Sequence, residues 1–214
     1  MLNEVFLRVI NLERRHDRRL ECLVELNNIN FSASSELFFA AKPMDCDGAL
    51  GCALSHARVL TDFLYYSDLE FAMILEDDFH IVDTANFVSE INSMIIFRNE
   101  WDVLLLAHNQ AVPVERTSAN NWFRVYNAQT TAGYLVSRTF APELVYYFLK
   151  SAEYLRQHQG LPAQTKKVVR HFVAADMLWK SLAVSDRFVA SFPAQIVQRP
   201  SYSDVEGCIV DYGV

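Results

Sequence analysis

The amino-acid sequence predicts an α/β fold in which a mainly parallel sheet carries helices on both faces. Short apolar runs alternate along the chain with stretches whose apolar residues recur at helical spacing. The β-α-β-α-β-α-β order of the first half favours parallel strands that are joined by helical crossovers. The 214 residues, of which 51% are hydrophobic, can bury a continuous core. We therefore predict one domain that spans residues 1–214.

The individual elements are predicted from these two periodicities. Short apolar runs predict the strands, which are Val5–Ile10, Phe38–Ala41, Phe71–Leu75, Val103–Leu106, Trp122–Tyr126, Ala132–Val136, Phe188–Ser191 and Ile196–Val197. Helical spacing predicts the helices, which are residues 13–26, residues 48–66, a segment capped by Thr84, a segment from a Thr139 cap to about Lys150, and residues 172–183. The polar stretches 109–121 and 157–167 predict a mobile loop and a connector.

The composition excludes several classes of protein. The net charge is −7, and an acidic chain is a poor general binder of nucleic acid, which is recognised by clustered Lys and Arg. The four cysteines form no Cys-x-x-Cys pair, which argues against a zinc knuckle or a redox motif. The N-terminus lacks the pattern of a signal peptide, and no run approaches the roughly 18 apolar residues of a membrane span. We expect a soluble cytoplasmic protein with reduced thiols, and contact with a membrane surface stays open.

The most informative stretch is an apolar strand that ends in three acids, Glu76, Asp77 and Asp78. In open α/β sheets, ligands bind at the carboxyl ends of the strands. In an extended chain Glu76 and Asp78 point the same way and Asp77 points opposite. Three close carboxylates repel one another unless a cation or donors compensate, and Mg²⁺ and Mn²⁺ prefer such oxygen ligands. A solvated acidic loop after a core strand is the alternative interpretation.

Two further features lie close to predicted strand ends or helices. Asn11 and several arginines follow the first strand, and an arginine guanidinium matches a phosphate bidentately. An exposed, charged helix start would explain the same arginines. His56 lies inside a predicted helix, where a packed, hydrogen-bonded histidine is the alternative to a ligand.

These pieces resemble, in order, glycosyltransferase family 25, the lipopolysaccharide and lipooligosaccharide galactosyltransferases. The similar segments are VINLERRHDRR (9–19), GCALSH (51–56), MILEDDF (73–79), WDVLLL (101–106), TTAGYLVS (130–137), AADMLW (174–179) and QRPSYSDVEG (198–207). Each segment is short, and the resemblance rests on their ordered occurrence over nearly the whole chain.

The resemblance implies a GT-A-like, Rossmann-like fold and an inverting transfer of a sugar from a nucleotide donor, most often UDP-galactose. The acceptor would be a lipooligosaccharide or another glycan or glycolipid. With such an acceptor, the protein would contact the inner face of the cytoplasmic membrane. Residues 1–108 would form the nucleotide-sugar-binding half and residues 109–214 the acceptor-side half.

The resemblance also implies roles for individual residues. Asp78, with Glu76, would bind Mn²⁺ or Mg²⁺. An inverting transfer also needs a base, for which Asp176, His171 and His108 are candidates. The AADMLW segment favours Asp176, although an exposed acid in the first turn of a helix is its alternative interpretation. Glu206 would be a second catalytic-site residue. The donor side would be formed by Asn11, Arg14, Arg18, His56, Glu76, Asp77 and Thr131, with Tyr134 on a strand lining the pocket.

Two other functions are compatible with the same strand end. A metal-dependent phosphatase also uses acids at a strand end, although such folds usually place the key Asp after the first strand, where this chain has Asn11. A non-catalytic module that binds a nucleotide or a glycan is the other alternative, and the intact acidic triplet argues against it. The sequence does not predict the oligomeric state.

Overall fold

The structure is a computed structural model that describes residues 4–31, 37–41, 47–203 and 208–211. Its strands are β1 Val5–Asn11, β2 Phe38–Ala40, β3 Phe71–Glu76, β4 Phe79–Ile81, β5 Val103–Leu105, β6 Val112–Arg116, β7 Trp122–Tyr126, β8 Gly133–Ser137, β9 Phe188–Ser191, β10 Ile196–Gln198, β11 Ser201–Ser203 and β12 Cys208–Val210. Its α-helices are α1 His16–Asn28, α2 Gly48–Tyr66, α3 Phe87–Ile96, α4 Ala141–Gln157, α5 Ala163–Val173, α6 Ala175–Leu178 and α7 Lys180–Ser185.

The centre of the fold is an eight-stranded sheet with the order β2-β1-β3-β8-β5-β9-β7-β6. The pairs β1–β2, β1–β3 and β5–β9 are parallel, whereas β8 and β7 run antiparallel to their neighbours. Six of the eight strands therefore point the same way, which confirms the predicted mainly parallel α/β fold. Because β8 lies between β3 and β5, strands from both halves of the chain interleave in one sheet.

Alternating side chains build a separate core on each face of the sheet. In β1, Phe6 and Ile10 join one buried cluster, while Val5, Leu7 and Val9 join the other. The first cluster includes apolar residues of α2, α4, α6 and α7, and the second includes those of α1 and α3. Strands buried on both faces read as near-continuous apolar runs, which is why β1, β3 and β5 were visible in the sequence.

Two predicted segments differ from the structure. Residues 109–121 contain β6, which pairs antiparallel with β7 and is exposed at every position. Its only apolar alternation is Val112 and Val114, which is too short to predict a strand within a polar stretch. The predicted connector 157–167 ends inside α5, and the predicted helix 172–183 is broken at Ala174 into the end of α5, α6 and α7. The α5 helix buries none of its residues, and Ala163 is the only apolar residue among its first five, so this part of the sequence reads as a polar connector.

The predicted helix caps are also wrong. α3 begins one residue after Asn86, and the carboxylate of Asp83 accepts hydrogen bonds from the backbone N–H groups of Ala85 and Asn86. α4 begins after Phe140 rather than at a Thr139 cap. In both cases the chain turns before the helix begins, so the nearest threonine does not occupy the capping position.

The end of α2 is held by a side chain from a distant segment. The guanidinium of Arg138, which follows β8, donates hydrogen bonds to the backbone carbonyls of Leu64 (3.2 Å), Phe63 (3.1 Å) and Leu69 (2.7 Å) and to that of Ser67. The last carbonyls of a helix lack partners inside the helix, and an arginine both satisfies them and complements the helix dipole. Among the described residues, no helix combines the length and the apolar character that crossing a bilayer requires.

Candidate functional site

The strand pleat divides the acidic triplet between the two faces of the sheet. Glu76 is the last residue of β3, and alternate residues of a strand point to the same face. Glu76 therefore lies, like Ala72 and Ile74, on the face that α2 covers. Asp77 alternates with Glu76 and lies, like Met73 and Leu75, on the face that α1 covers. The extended conformation ends at Glu76, because residues 77 and 78 form the turn that leads into β4.

Asp77 is bound by groups from β1 and α1. Arg18 Nη1 donates to Asp77 Oδ1 at 2.5 Å, and the two side chains are only 10% and 9% exposed. Asn11 Nδ2 donates to the other carboxylate oxygen at 2.8 Å. Arg18 Nη2 also donates to the carbonyl of Tyr202 at 2.8 Å. Both oxygens of Asp77 therefore have close protein donors, and the ion pair fixes the guanidinium at the carboxyl edge of the sheet.

Glu76 faces a group of side chains from α2 and the segment before β8. Its Oε1 accepts a hydrogen bond from Thr131 Oγ1 at 2.6 Å and lies 3.1 Å from His56 Nε2 and 3.8 Å from Cys52 Sγ. Burial alone would raise the pKa of Glu76, but the hydrogen bonds and the charge of His56 outweigh it, and the net pKa is lowered. In the described part of the chain, none of these contacts uses Oε2.

Asp78 has weaker contacts than its two neighbours. Gln198 Nε2 lies 3.5 Å from its Oδ1, and Arg18 Nη1 lies 3.7 Å from its Oδ2. Its side chain is 11% exposed. Burial, followed by the charge of Glu76, raises the pKa of Asp78 from 3.8 to about 7, although Arg18 opposes the shift. A bound cation would offset the repulsion between this buried carboxylate and the carboxylate of Glu76.

Asp176 lies at the same edge, in the first turn of α6. Its Oδ2 accepts a hydrogen bond from the backbone N–H of Thr130 at 3.2 Å, and Thr130 Oγ1 donates to Gln198 Oε1 at 3.0 Å. Burial raises the pKa of Asp176, and the charge of Glu76 adds to the shift. Thr130 has a φ of 76°, a strained conformation for a β-branched residue, and such strain concentrates at functional sites.

The other predicted site residues are exposed, contact another part of the chain or lie outside the described residues. Arg14 is exposed in the turn that follows β1, and His171 is exposed on α5. His108 is partly buried, its Nε2 lies 2.8 Å from the carbonyl of Ser191, and burial lowers its pKa. Glu206 lies outside the described residues, so its role stays a prediction.

The donor set at Asp78 and Glu76 fits a hard divalent cation. Within the described residues, the hydrogen bond and the ion pair of the Asp78 carboxylate are 3.5 and 3.7 Å long, and the contacts of Glu76 given above do not use its Oε2. Carboxylate oxygens suit Mn²⁺ and Mg²⁺, which retain waters and bind substrate phosphate. Asp77 is less suited, because Arg18 and Asn11 engage both of its oxygens.

Three residues of the site were not identified from the sequence. Cys52 precedes His56 by four residues, so both project from one face of α2, and this spacing was a usable signal. Gln198 joins the site through the pairing of β10 with β4, and sequence separation conceals that contact. Thr130 contributes through its positive φ, and no residue pattern predicts that conformation for a threonine.

No protein-family model and no curated protein match this chain. It is similar to a glycosyltransferase involved in the glycosylation of the major capsid of PBCV-1, with 8% identity and a TM-score of 0.49, over 94% of this chain and 95% of that chain. It is also similar to UDP-glucose pyrophosphorylase complexed with UDP-glucose, with 9% identity and a TM-score of 0.42, over 86% of this chain and 71% of that chain.

A third solved structure is longer than this chain. Mannose-1-phosphate geranyltransferase from Thermus thermophilus is 11% identical with a TM-score of 0.38, and the match covers 72% of this chain and 52% of that chain. The chain thus spans about half the length of that protein. We therefore infer function from the chain's own side chains.

Proposed function

We propose that the protein is an inverting glycosyltransferase that takes a hexose, with galactose from UDP-galactose as the first candidate, and transfers it to a glycan or glycolipid acceptor. The observation that carries the proposal is the division of the acidic triplet. Asp77 anchors a buried arginine, whereas Asp78 and Glu76 keep carboxylate oxygens available at the edge of the sheet. A cationic and an anionic group thus lie side by side, as a metal-bound nucleotide diphosphate requires.

The metal would be held by Asp78 and Glu76. Mn²⁺ or Mg²⁺, when bound, supplies Lewis-acid stabilisation of the negative charge that develops on the departing nucleotide diphosphate. Arg18 is held in place by Asp77 and the carbonyl of Tyr202, so its guanidinium is oriented before any ligand arrives. Asn11, on the same edge, and Arg14, in the adjoining turn, complete the nucleotide side of the proposal.

Asp176 is the proposed catalytic base. An inverting transfer requires a base that removes the proton of the acceptor hydroxyl on the side opposite the leaving group. Burial raises the pKa of Asp176, which makes its carboxylate a better proton acceptor near neutral pH. The backbone N–H of Thr130 holds Oδ2, and His56 and Thr131 fix the neighbouring Glu76. Glu206 stays a second candidate at this site.

The base assignment has its own test. Asp176→Asn keeps the size of the side chain and removes its basicity, so we expect sugar transfer to fall by about 10²–10⁴-fold, the usual contribution of a general base. Affinity for UDP with Mn²⁺ should stay the same, because the variant leaves Asp78 and Arg18 in place. Transfer at the wild-type rate would remove Asp176 from the base role.

Contact with a membrane surface is part of the proposal, and α5 is the surface that supports it. Val168 and Phe172 are 52% and 66% exposed and lie one turn apart on this helix. Lys167 and His171, also exposed, lie beside them one residue earlier in the chain. The helix carries no acid, although the whole chain has a net charge of −7. An apolar ridge with flanking cations suits an anionic lipid surface.

Sedimentation with vesicles tests this surface. We expect the protein to bind phosphatidylglycerol vesicles more strongly than phosphatidylcholine vesicles, and Phe172→Ser to weaken that binding. The matched control is Tyr65→Ser, because Tyr65 is 79% exposed on α2 and lies outside α5. Equal effects of the two substitutions, or no preference for the anionic lipid, would argue against α5 as the contact.

A donor screen tests the function itself. Nucleotide release is measured from a panel of nucleotide sugars, with Mn²⁺ and with excess EDTA, for the wild type and for Asp78→Ala. We expect UDP release from UDP-galactose that depends on Mn²⁺ and is lost in the variant. Full release in EDTA would remove the metal role. Binding of UDP without turnover of any donor would indicate a binding module, and cleavage of simple phosphate esters would indicate a phosphatase.

A further inference from the structure

We propose that Cys52, His56 and Glu76 form a second metal-binding site, which takes a borderline cation such as Zn²⁺ or Co²⁺ through a thiolate ligand. One ligand atom from each residue lies within 4.8 Å of the other two. The proposal does not depend on glycosyl transfer, because the three residues would bind the ion whatever reaction the neighbouring carboxylates support.

The distances agree with tetrahedral coordination. Zinc binds nitrogen and oxygen at about 2.0 Å and sulfur at about 2.3 Å, so a tetrahedral centre separates its N and O ligands by about 3.3 Å and its S and O ligands by about 3.5 Å. In the structure His56 Nε2 lies 3.1 Å from Glu76 Oε1, and Cys52 Sγ lies 3.8 Å from the same oxygen. Shifts of a few tenths of an ångström would bring each of these two pairs to ligand spacing, and Cys52 Sγ lies within 4.8 Å of the histidine ligand atom.

The fold presents these ligands from two rigid elements. Cys52 and His56 are one turn apart on α2, which is 19 residues long and packs against β1 and β3. Glu76 reaches them from the end of β3, on the face that α2 covers. Sites built on helices and strands hold their ligands more precisely than sites built on loops.

A second hydrogen bond orients the histidine for a metal. His56 Nδ1 lies 3.0 Å from the hydroxyl oxygen of Tyr134, and both side chains are fully buried. With Nδ1–H donating a hydrogen bond to the Tyr134 hydroxyl, an arriving metal would displace the proton of Nε2 to solvent and take the Nε2 lone pair beside Cys52 and Glu76. Metal-binding histidines almost always have such a partner on the other ring nitrogen. The ring is further held by contact with Phe148, at a centroid distance of 5.3 Å.

The ligand types select the class of metal. A set of one thiolate, one imidazole and one carboxylate suits zinc and cobalt better than magnesium or manganese, which prefer oxygen throughout. Three protein ligands leave a fourth position for water or a substrate atom, and Glu76 is 25% exposed, so solvent can reach this side. On binding, the Cys52 S–H bond breaks, the sulfur–metal bond forms and the proton leaves to solvent.

Cobalt is the probe, because a cobalt–thiolate bond gives a charge-transfer absorption band that oxygen and nitrogen ligands do not give. Titration of the full chain with Co²⁺ should produce this band at one equivalent, and Zn²⁺ should remove it. Cys52→Ser should abolish the band, while Cys208→Ser, at an exposed cysteine distant in sequence, should leave it unchanged. No band in the wild type, or a band that survives in Cys52→Ser, would overturn the proposal.

Tyr134→Phe gives a second measurement that needs no catalysis. The substitution keeps the ring and removes only the hydroxyl that holds His56 Nδ1, so Co²⁺ affinity should fall by about 10–100-fold. Unchanged affinity in this folded variant would contradict the inference that the Tyr134 hydroxyl orients His56 as a ligand. Since Asp78 takes no part in the band, Asp78→Ala should retain it even if nucleotide release is lost, which separates this proposal from the proposed function.

Discussion

The ion pair between Arg18 and Asp77 should be one of the strongest single contributions to stability at the site. Both side chains are about nine-tenths buried, and the guanidinium lies within 2.5 Å of one carboxylate oxygen. Replacing Arg18 by Met keeps an unbranched apolar side chain about as long as the aliphatic stem of arginine and removes the charge. Asp77 would then remain buried beside two other acids without its main partner. Breaking a buried pair in this way typically costs about 3–5 kcal/mol of unfolding free energy.

A second arginine in the same chain provides the matched control. Arg98 pairs with Glu70 at 2.7 Å, which is close to the Arg18–Asp77 distance, but the two side chains are 56% and 66% exposed. Water screens that pair, so Arg98→Met should cost only about 0–1 kcal/mol. The two substitutions remove the same group and differ mainly in burial.

Urea unfolding followed by circular dichroism measures both variants. We expect a lower midpoint for Arg18→Met with an unchanged dependence on urea, because the extent of surface exposed on unfolding is the same. Asp77→Asn should restore part of the loss in the double variant, since the unpaired charge is then gone. If the Arg18 and Arg98 substitutions lowered the unfolding free energy equally, burial would not be the reason that the Arg18–Asp77 ion pair stabilises the fold.

Three other predictions concern the frame of the site. Arg138→Met should lower the unfolding free energy by about 2–3 kcal/mol, because it leaves the carbonyls at the end of α2 without a charged donor, and urea unfolding checks it. Gly133→Ala should cost about 1 kcal/mol in the same assay, because its Cβ would lie 3.2 Å from both Leu75 Cδ2 and Ile196 Cδ1. Without metal, the proton that Asp78 retains stabilises the folded state fully below pH 3.8, and this stability should be lost as the pH rises through about 7. The loss should be on the order of a few kcal/mol, and Asp78→Asn should flatten the pH profile.

Much of the fold was predictable from the sequence because its central strands are buried on both faces. β1, β3 and β5 read as apolar runs, and the acids that follow β3 lie at the carboxyl edge of the sheet. The opposite directions of Glu76 and Asp77 also follow from the pleat. These features depend on local periodicity, which the chain displays directly.

The remaining parts depend on contacts between distant residues or on surfaces that never become buried. No local pattern indicates that β8 inserts antiparallel between β3 and β5. β6 and α5 have no buried residue, so burial in the core does not set the residue pattern of either segment. At the site, no local pattern indicated that Arg18 engages Asp77 and leaves Asp78 with longer contacts, because that difference arises from the packing of α1 against the sheet.

Calorimetric titration of UDP tests the central claim most directly, namely that Asp78 helps to hold a metal that binds the nucleotide. The titration is made in Mn²⁺ and in EDTA, with the wild type and with Asp78→Asn. We expect the affinity of the wild type for UDP to depend on Mn²⁺. We expect Asp78→Asn to lower that affinity by about tenfold or more, which corresponds to about 1.4 kcal/mol. Equal UDP affinity for both proteins in both buffers would contradict this claim.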